Sequence, residues 1–162
     1  AQAADFLLLM TYEWGYTYGP PMAVAPLPNV RRVVEFAITQ MDPGKIYLGI
    51  PNYGYDWTLP YIEGESRARS LGNEDAVRMA IDRRAAIMFD EEQRAPMFNY
   101  YDMVNGRPIK HEVWFQNAQS VYETLQLVDE YELGGIGIWN IMRSFPQMWP
   151  VINSLYNIEK VI

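Results

Sequence analysis

The sequence contains no cysteine, and it has a single histidine among its 162 residues. The absence of cysteine excludes disulfides, iron–sulfur clusters and thiolate zinc sites. His111 is followed by Glu112, but adjacent residues of a strand point to opposite faces of a sheet. We therefore expect neither a metal site nor a cofactor.

Positive charge and long apolar runs are also scarce. The chain has 13 Lys and Arg against 20 Asp and Glu, which gives a net charge of −7. No basic stripe of the kind that follows nucleic acid is present, so no nucleic-acid partner is expected. No run reaches the roughly 18 apolar residues of a membrane helix, so we expect no membrane span. Residues 1–5 lack the features of a signal peptide and lead directly into an apolar run, which suggests a piece excised from a larger domain.

Aromatic residues, in contrast, are plentiful, with 5 Trp, 12 Tyr and 6 Phe. A well-packed core explains most of them. Indole and phenol rings also offer flat apolar faces with a polar end, which suits stacking against sugar rings. Composition alone favours the core interpretation.

The order of elements predicts an α/β fold. Three apolar runs, at residues 5–12, 45–51 and 134–140, have the pattern of strands buried on both faces, which is typical of parallel sheets. Helices are predicted from Asn29 to about 41, from Asn117 onward and from about 146 to 156. Strand and helix alternate as in α/β domains.

The middle of the chain has a different pattern, and we expect it to form an α+β insertion at about 58–116. A helix is predicted over residues 72–84. Short strands are predicted near 86–89, 97–101 and 110–115. Asn105-Gly106 stands between the last two strands and is a strong hairpin signal.

Three parallel strands cannot close a sheet, so both outer strands would have open edges. We expect these edges to be covered either by the missing part of a barrel or by a second chain. The whole chain can also be interpreted as a structural or interaction fragment, and this interpretation depends on such edge pairing.

Side chains suited to binding follow the three predicted strands. In barrels of alternating strands and helices, the active site lies at the C-terminal ends of the strands. The residues found at those ends are Met10, Tyr12, Glu13 and Trp14 after the first strand, Asn52, Tyr53 and Tyr55 after the second, and Trp139 and Asn140 at the third.

Three segments resemble glycoside hydrolase family 18. Residues 10–13 (MTYE), 48–57 (LGIPNYGYDW) and 134–140 (GGIGIWN) are similar to its sixth, seventh and eighth barrel strands. Residues 111–115 (HEVWF) and 144–149 (SFPQMW) look like the spore-cortex branch, which contains bacterial N-acetylglucosaminidases. The resemblance covers essentially all of residues 1–162 and implies the C-terminal part of a TIM (β/α)8 barrel, with the insertion between its last two strands.

The resemblance also implies roles for particular residues. Tyr12 matches the tyrosine that hydrogen-bonds the substrate's N-acetyl group, which is the nucleophile in substrate-assisted retaining hydrolysis. Glu13 matches an acidic residue that contacts the sugar, and Met10 a residue that lines the pocket. Trp139 matches the tryptophan beneath the ring that distorts. Further substrate-binding candidates are Asn52 and Tyr53.

One part of the family pattern is missing. The D-x-x-D-x-D-x-E motif with the general acid belongs to the fourth strand, and no segment of this sequence matches it. We therefore expect the fragment to be inactive alone. The implied substrate is a β-linked N-acetylglucosamine polymer such as peptidoglycan cortex or chitin, with a protein that is extracellular, in the cell wall or spore-associated in a bacterium. The alternative is a lectin-like barrel that binds these polymers without cleaving them.

Overall fold

A computed structural model describes residues 4–158 and contains two sheets and four α-helices. The elements are β1 Leu7–Leu9, α1 Leu27–Ile38, β2 Ile46–Pro51, β3 Tyr53–Thr58, β4 Arg69–Gly72, α2 Asn73–Arg83, β5 Met88–Asp90, β6 Ala95–Val104, β7 Arg107–Trp114, α3 Ala118–Glu130, β8 Gly135–Trp139 and α4 Met148–Leu155. The predicted α/β class is confirmed. Among residues 4–158 no helix has the length and hydropathy needed to cross a bilayer.

The first sheet is parallel, with the order β1-β2-β8. Its central strand is fully buried at Ile46 and Leu48. Gly49 lets β1 approach closely, because a Cβ atom there would lie 2.4 Å from the carbonyl oxygen of Leu9. The Thr11 hydroxyl donates to the Gly49 carbonyl at 3.1 Å and extends this contact beyond the strand.

The outer strands differ from the expectation. The predicted strand over 5–12 has only three residues in strand conformation, and Leu7 and Leu8 are 42% and 44% exposed. The third strand, β8, is only half-buried. The prediction that these two strands are buried on both faces is wrong for the described chain, because side chains of both are partly or largely exposed. Each strand also has β2 as its one partner there, so each has an open edge.

Helices α1 and α3 pack on the parallel sheet. Val34 of α1 and Leu127 of α3 lie with Leu48 in one buried cluster. The predicted cap of α3 is confirmed, because the Asn117 side chain accepts from the Ser120 N–H at 2.9 Å.

The start of α1 corrects the sequence prediction. Asn29 was expected to cap this helix, but the helix begins at Leu27 with Pro26 in the cap position. Pro28 therefore lies in the first turn, where the missing N–H of proline leaves no bond unmade. The Asn29 side chain accepts a hydrogen bond from Arg32 instead.

The second sheet is antiparallel, with the order β4-β3-β7-β6-β5. The hairpin prediction is confirmed, since Asn105 and Gly106 connect β6 to β7 with φ values of 51° and 75°. In chain order, the first strand of this sheet is β3. It begins at Tyr53, and only Asn52 separates it from β2. The phenols at the start of β3 therefore lie beside the C-terminal ends of the parallel strands.

A buried carboxylate joins the strands of the antiparallel sheet. Asp56 of β3 is 5% exposed and accepts from the Tyr100 hydroxyl at 2.9 Å and from Arg69 at 3.1 Å. Its other oxygen lies 3.0 Å from Nδ1 of His111. The ring of His111 stacks on Tyr100 with centroids 4.5 Å apart. The histidine and carboxylate thus form a structural network that spans β3, β4, β6 and β7.

Candidate functional site

An open cavity of about 470 Å³ lies where the C-terminal ends of β1, β2 and β8 meet the start of β3. Its lining residues are Met10, Tyr12, Glu13, Tyr53, Tyr55, Ser70, Trp139, Asn140 and Arg143. Five of the six residues predicted from the sequence are among them, and Asn52 is not. The structure thus brings together predicted side chains that lie as much as 129 positions apart, from Met10 to Trp139.

Tyr12 lies just beyond β1 and is half-buried against Tyr53, whose ring centroid is 6.5 Å away in an edge-on arrangement. Gly49 leaves room for it, because a Cβ there would lie 2.9 Å from the Tyr12 ring. Burial, and then the charge of Glu13, raise the pKa of the Tyr12 phenol above its ordinary value of 10.0. The phenol is therefore neutral at pH 7 and can donate a hydrogen bond to a ligand oxygen.

Glu13 turns the chain at the mouth of the cavity, with a φ of 70° in the left-handed region that few residues other than glycine adopt. Its carboxylate accepts a hydrogen bond from Tyr53. Tyr55 donates to the two carboxylate oxygens at 3.0 and 3.2 Å. Burial, followed by the hydrogen bond to Glu13, raises the pKa of Tyr53 far above its ordinary value. The two phenols hold the carboxylate in place as a fixed acceptor at the cavity wall.

The indole of Trp139 ends β8 and is 56% exposed on the cavity. The peptide bond from Trp139 to Asn140 is cis. Met10 is even more exposed, at 72%, on the same cavity. An exposed indole next to hydrogen-bonding groups offers a ligand both a flat apolar face and a polar edge.

Asn52 occupies a different position from the one predicted. It is 2% exposed, and its amide donates to the carbonyls of Asn140 and Arg143 at 2.7 and 2.9 Å. Its side-chain oxygen accepts from the Asn140 N–H at 2.8 Å. The side chain is therefore saturated by the protein, and it holds the segment after β8 in position rather than lining the cavity.

Arg143 is a lining residue that sequence reasoning missed. It stands four positions after Trp139 in a segment without regular structure. Its guanidinium donates to the Ser70 hydroxyl at 3.0 Å and lies 5.7 Å from the Tyr53 ring centroid. The available signal was a single charged residue shortly after a strand end, where binding loops of α/β folds lie.

The described residues, 4–158, include no group of three or more His, Cys, Asp and Glu side chains placed to hold a metal ion. The side chains at the cavity offer hydrogen bonding by phenols, a hydroxyl and an amide, acceptance by one carboxylate, a guanidinium charge and stacking on an indole. These groups suit a polar ligand with flat apolar faces.

A parallel α/β sheet whose strand ends place phenols, a carboxylate and an exposed indole around one cavity is typical of a carbohydrate-active domain. The sequence model of the family described as Glycosyl hydrolases family 18 matches residues 1–143. The chain belongs to this family.

The relatives agree with this assignment. The chain is 44% identical over 159 residues to the cortical fragment-lytic enzyme of Bacillus subtilis (strain 168), covering 98% of this chain and 36% of that protein. The crystal structure of the Bacillus cereus spore cortex-lytic enzyme SleL matches with a TM-score of 0.92 and 40% identity, over 98% of this chain and 36% of that one. Human di-N-acetylchitobiase is 26% identical over 86% of this chain and 41% of its own length. The chain thus spans about a third of the length of the Bacillus relatives.

Proposed function

We propose that this chain belongs to a glycosidase that hydrolyses β-linked N-acetylglucosamine polymers such as the peptidoglycan of the spore cortex or chitin. The observation that carries the proposal is the meeting of Tyr12, Glu13 and Trp139 at one cavity. The names of the relatives, a cortical fragment-lytic enzyme and a chitobiase, support the class of substrate. The Bacillus relatives, a cortical fragment-lytic enzyme and a spore cortex-lytic enzyme, support a spore-associated or extracellular location in a bacterium.

The proposed mechanism is substrate-assisted and retains configuration. Tyr12 donates a hydrogen bond to the N-acetyl group and holds its carbonyl oxygen in line with the anomeric carbon. That oxygen forms a bond to the anomeric carbon while the glycosidic bond breaks and a general acid protonates the leaving oxygen. Water then attacks the same carbon from the side of the departed group, returns a proton to the general acid, and releases the acetamide.

The other residues position the sugar. Trp139 supports the face of the distorted ring, and Met10 lines the pocket beside it. Glu13 accepts hydrogen bonds from the sugar hydroxyls, and the oxygen of Tyr53, whose proton is donated to Glu13, can accept one more. We assign Asn52 a positioning role, because its amide is already saturated. The general acid comes from a part of the protein outside this sequence, so the 162-residue chain alone is expected to be inactive.

The architecture proposed for the whole protein is a (β/α)8 barrel, with β1, β2 and β8 as its sixth, seventh and eighth strands. The proposed domain covers 1–162 with an insertion at about 58–116, although the antiparallel sheet already begins at Tyr53 with β3. The exposure of Leu7 and Leu8 supports the idea that further strands, or a second chain, cover the open edges.

The test is hydrolysis of a chromogenic β-linked N-acetylglucosamine oligosaccharide by the full-length protein. Tyr12→Phe should lower kcat by roughly 100- to 1,000-fold, the range seen when one preorganised donor is removed. Tyr122→Phe is the matched control, because this tyrosine is exposed on α3 and outside the cavity. Binding without hydrolysis by the wild-type protein would support the lectin alternative and overturn the glycosidase.

A further inference from the structure

Thr11 is a buried residue in the middle of the segment that carries Met10, Tyr12 and Glu13 to the cavity. It is 2% exposed and is not one of the residues that line the cavity. A hydroxyl enclosed in this way needs an acceptor inside the protein, because burying it without one is costly. The location of that acceptor determines what the side chain of Thr11 holds in place.

The backbone leaves the parallel sheet just before Thr11. The pairing of β1 with β2 ends where Leu9 faces Leu48, and the Thr11 N–H donates back to the Leu9 carbonyl at 3.0 Å. Three-residue turns of this kind are common at the ends of strands. The backbone N–H of Thr11 is therefore bonded within its own segment and does not continue the ladder to β2.

The side chain of Thr11 makes the bond to β2 instead. Its hydroxyl donates to the carbonyl of Gly49 at 3.1 Å, one position after the last paired residue of β2. This contact lies on the side of β1 that faces β2. A strand or chain that covers the opposite edge of β1 in the full-length protein therefore leaves the contact in place.

Gly49 also determines the position of the Tyr12 ring. A Cβ atom on Gly49 would lie 2.9 Å from Cε1 of Tyr12, so the ring lies directly against the backbone of β2. The hydroxyl of Thr11 and the ring of Tyr12 thus contact the same residue. Loss of the hydroxyl would release the segment from the Gly49 carbonyl, and the phenol of Tyr12 would move with the segment.

Glu13, the next residue, is held by separate contacts. Its carboxylate accepts hydrogen bonds from Tyr53 and Tyr55, which belong to β3. The bond made by the Thr11 hydroxyl therefore acts mainly on the position of Tyr12.

We infer that Thr11 is a positioning residue for catalysis, whose buried hydroxyl holds the Tyr12 phenol where it meets the N-acetyl group of the substrate. The inference rests on the proposed function, in which Tyr12 donates a hydrogen bond to that group. Displacing a positioned group by about 1 Å can lower a rate on the order of 100-fold. The hydroxyl at position 11 should therefore affect kcat, although it lies behind the cavity wall.

The test is a double-mutant cycle in the full-length protein, with kcat and KM measured on a chromogenic N-acetylglucosamine oligosaccharide. Thr11→Val replaces the hydroxyl with a methyl group of similar size and should lower kcat by about 10- to 100-fold. KM should change by less than about threefold, because the groups that bind the sugar rings remain. In a Tyr12→Phe background, Thr11→Val should change kcat by less than about threefold, because the displaced phenol hydroxyl is already absent. A purely structural role would lower kcat by the same factor in both backgrounds.

Two further variants separate positioning from stability. Thr11→Ser keeps the hydroxyl and should retain most of the wild-type kcat. Thr124→Val removes a similarly buried hydroxyl, which donates to the Ser120 carbonyl at 2.9 Å within α3, and should leave kcat unchanged. Thermal unfolding shows whether each variant is folded. If Thr11→Val is not folded, Thr11→Ala replaces it in the cycle, because alanine also lacks the hydroxyl.

An unchanged kcat in Thr11→Val, or equal losses in the two backgrounds, would overturn the inference and leave the glycosidase proposal standing. If the wild type hydrolyses no oligosaccharide, the proposed function fails instead. The same cycle is then measured on the dissociation constant of the oligosaccharide by calorimetry, and Thr11→Val should weaken binding only where Tyr12 is present. Equal weakening in both backgrounds, or no binding by the wild type, would overturn the inference in that case as well.

Discussion

The side-chain amide of Asn52 forms a two-way hydrogen-bonded pair with the backbone of Asn140, donating to its carbonyl at 2.7 Å and accepting from its N–H at 2.8 Å. A third bond reaches the Arg143 carbonyl. One buried side chain after β2 thus determines where the chain runs after β8, and with it where Trp139 and Arg143 present their side chains.

Asn52→Ala is expected to destabilise the protein. It removes every one of these bonds and leaves the half-buried Asn140 N–H and Arg143 carbonyl without these partners, so the free energy of unfolding should fall by about 1–3 kcal/mol. Urea unfolding of the full-length protein measures the change. Asn153→Ala is the control, because this asparagine is exposed on α4. Equal effects of the two substitutions would contradict the positioning role of Asn52.

The pKa of Tyr53 predicts a loss of stability in alkali. Burial and the hydrogen bond to Glu13 raise this pKa in the folded state above the ordinary value of 10.0. The contribution of Tyr53 to the free energy of unfolding is therefore complete below pH 10 and is lost as the pH rises above 10. In that range the unfolded chain releases the phenol proton, whereas the folded chain keeps it. Urea unfolding at pH 8, 10 and 11 should show this decline.

A substitution identifies the source of the alkaline effect. Tyr53→Phe has no proton to release, so its stability should fall less steeply above pH 10 than that of wild type. Tyr156 provides a comparison, because burial and Asp129 raise its pKa to about 12 at a site remote from Glu13. An equally steep decline in Tyr53→Phe and wild type would refute the assignment to Tyr53.

The buried carboxylate of Asp56 should stabilise the antiparallel sheet. Asp56→Ala leaves the Tyr100 hydroxyl, the His111 ring and Arg69 without their shared acceptor, and we expect a loss of about 3 kcal/mol in the free energy of unfolding. Asp82→Ala is the control, because Asp82 is exposed on α2. Near-equal losses would show that the network does not stabilise the sheet.

The elements predicted correctly are those determined by nearby residues. The strand at 46–51 is a continuous apolar run, and the Asn105-Gly106 hairpin needs only two residues with positive φ. The Asn117 cap likewise depends on Ser120, three positions away. Each of these can be predicted from a short window of sequence.

Long-range contacts account for what was missed. The strand Tyr53–Thr58 contains glycine and mixed polar residues, and it becomes a strand through pairing with β7, where Trp57 faces Glu112. Arg143 reaches the cavity because Asn52, 91 positions earlier, holds its backbone. The exposure of Leu7 depends on which strand lies beside the open edge of β1. The sequence of residues 5–12 contains no information about that strand.

The hairpin allows a test of backbone conformation alone. Gly106 has a φ of 75°, and a Cβ atom there would meet no other atom within 4 Å. Gly106→Ala should therefore cost about 1 kcal/mol, purely from the left-handed conformation. Asn105→Gly should be tolerated, since glycine adopts the same conformation freely. Measured unfolding free energies check both, and a neutral Gly106→Ala would show that the turn can change its conformation.

Trp139 should contribute to ligand affinity far more than to stability. The indole is 56% exposed on the cavity, so Trp139→Ala removes little buried surface from the folded protein. It also removes the plate on which the proposed sugar ring stacks, and the dissociation constant for an N-acetylglucosamine oligosaccharide should rise by about tenfold or more, about 1.4 kcal/mol. Calorimetric titration of the full-length protein measures this constant. Trp149→Ala is the matched control, because Trp149 is similarly exposed, at 49%, but lines a different cavity. If Trp149→Ala weakens binding as much as Trp139→Ala, the sugar does not stack at the end of β8.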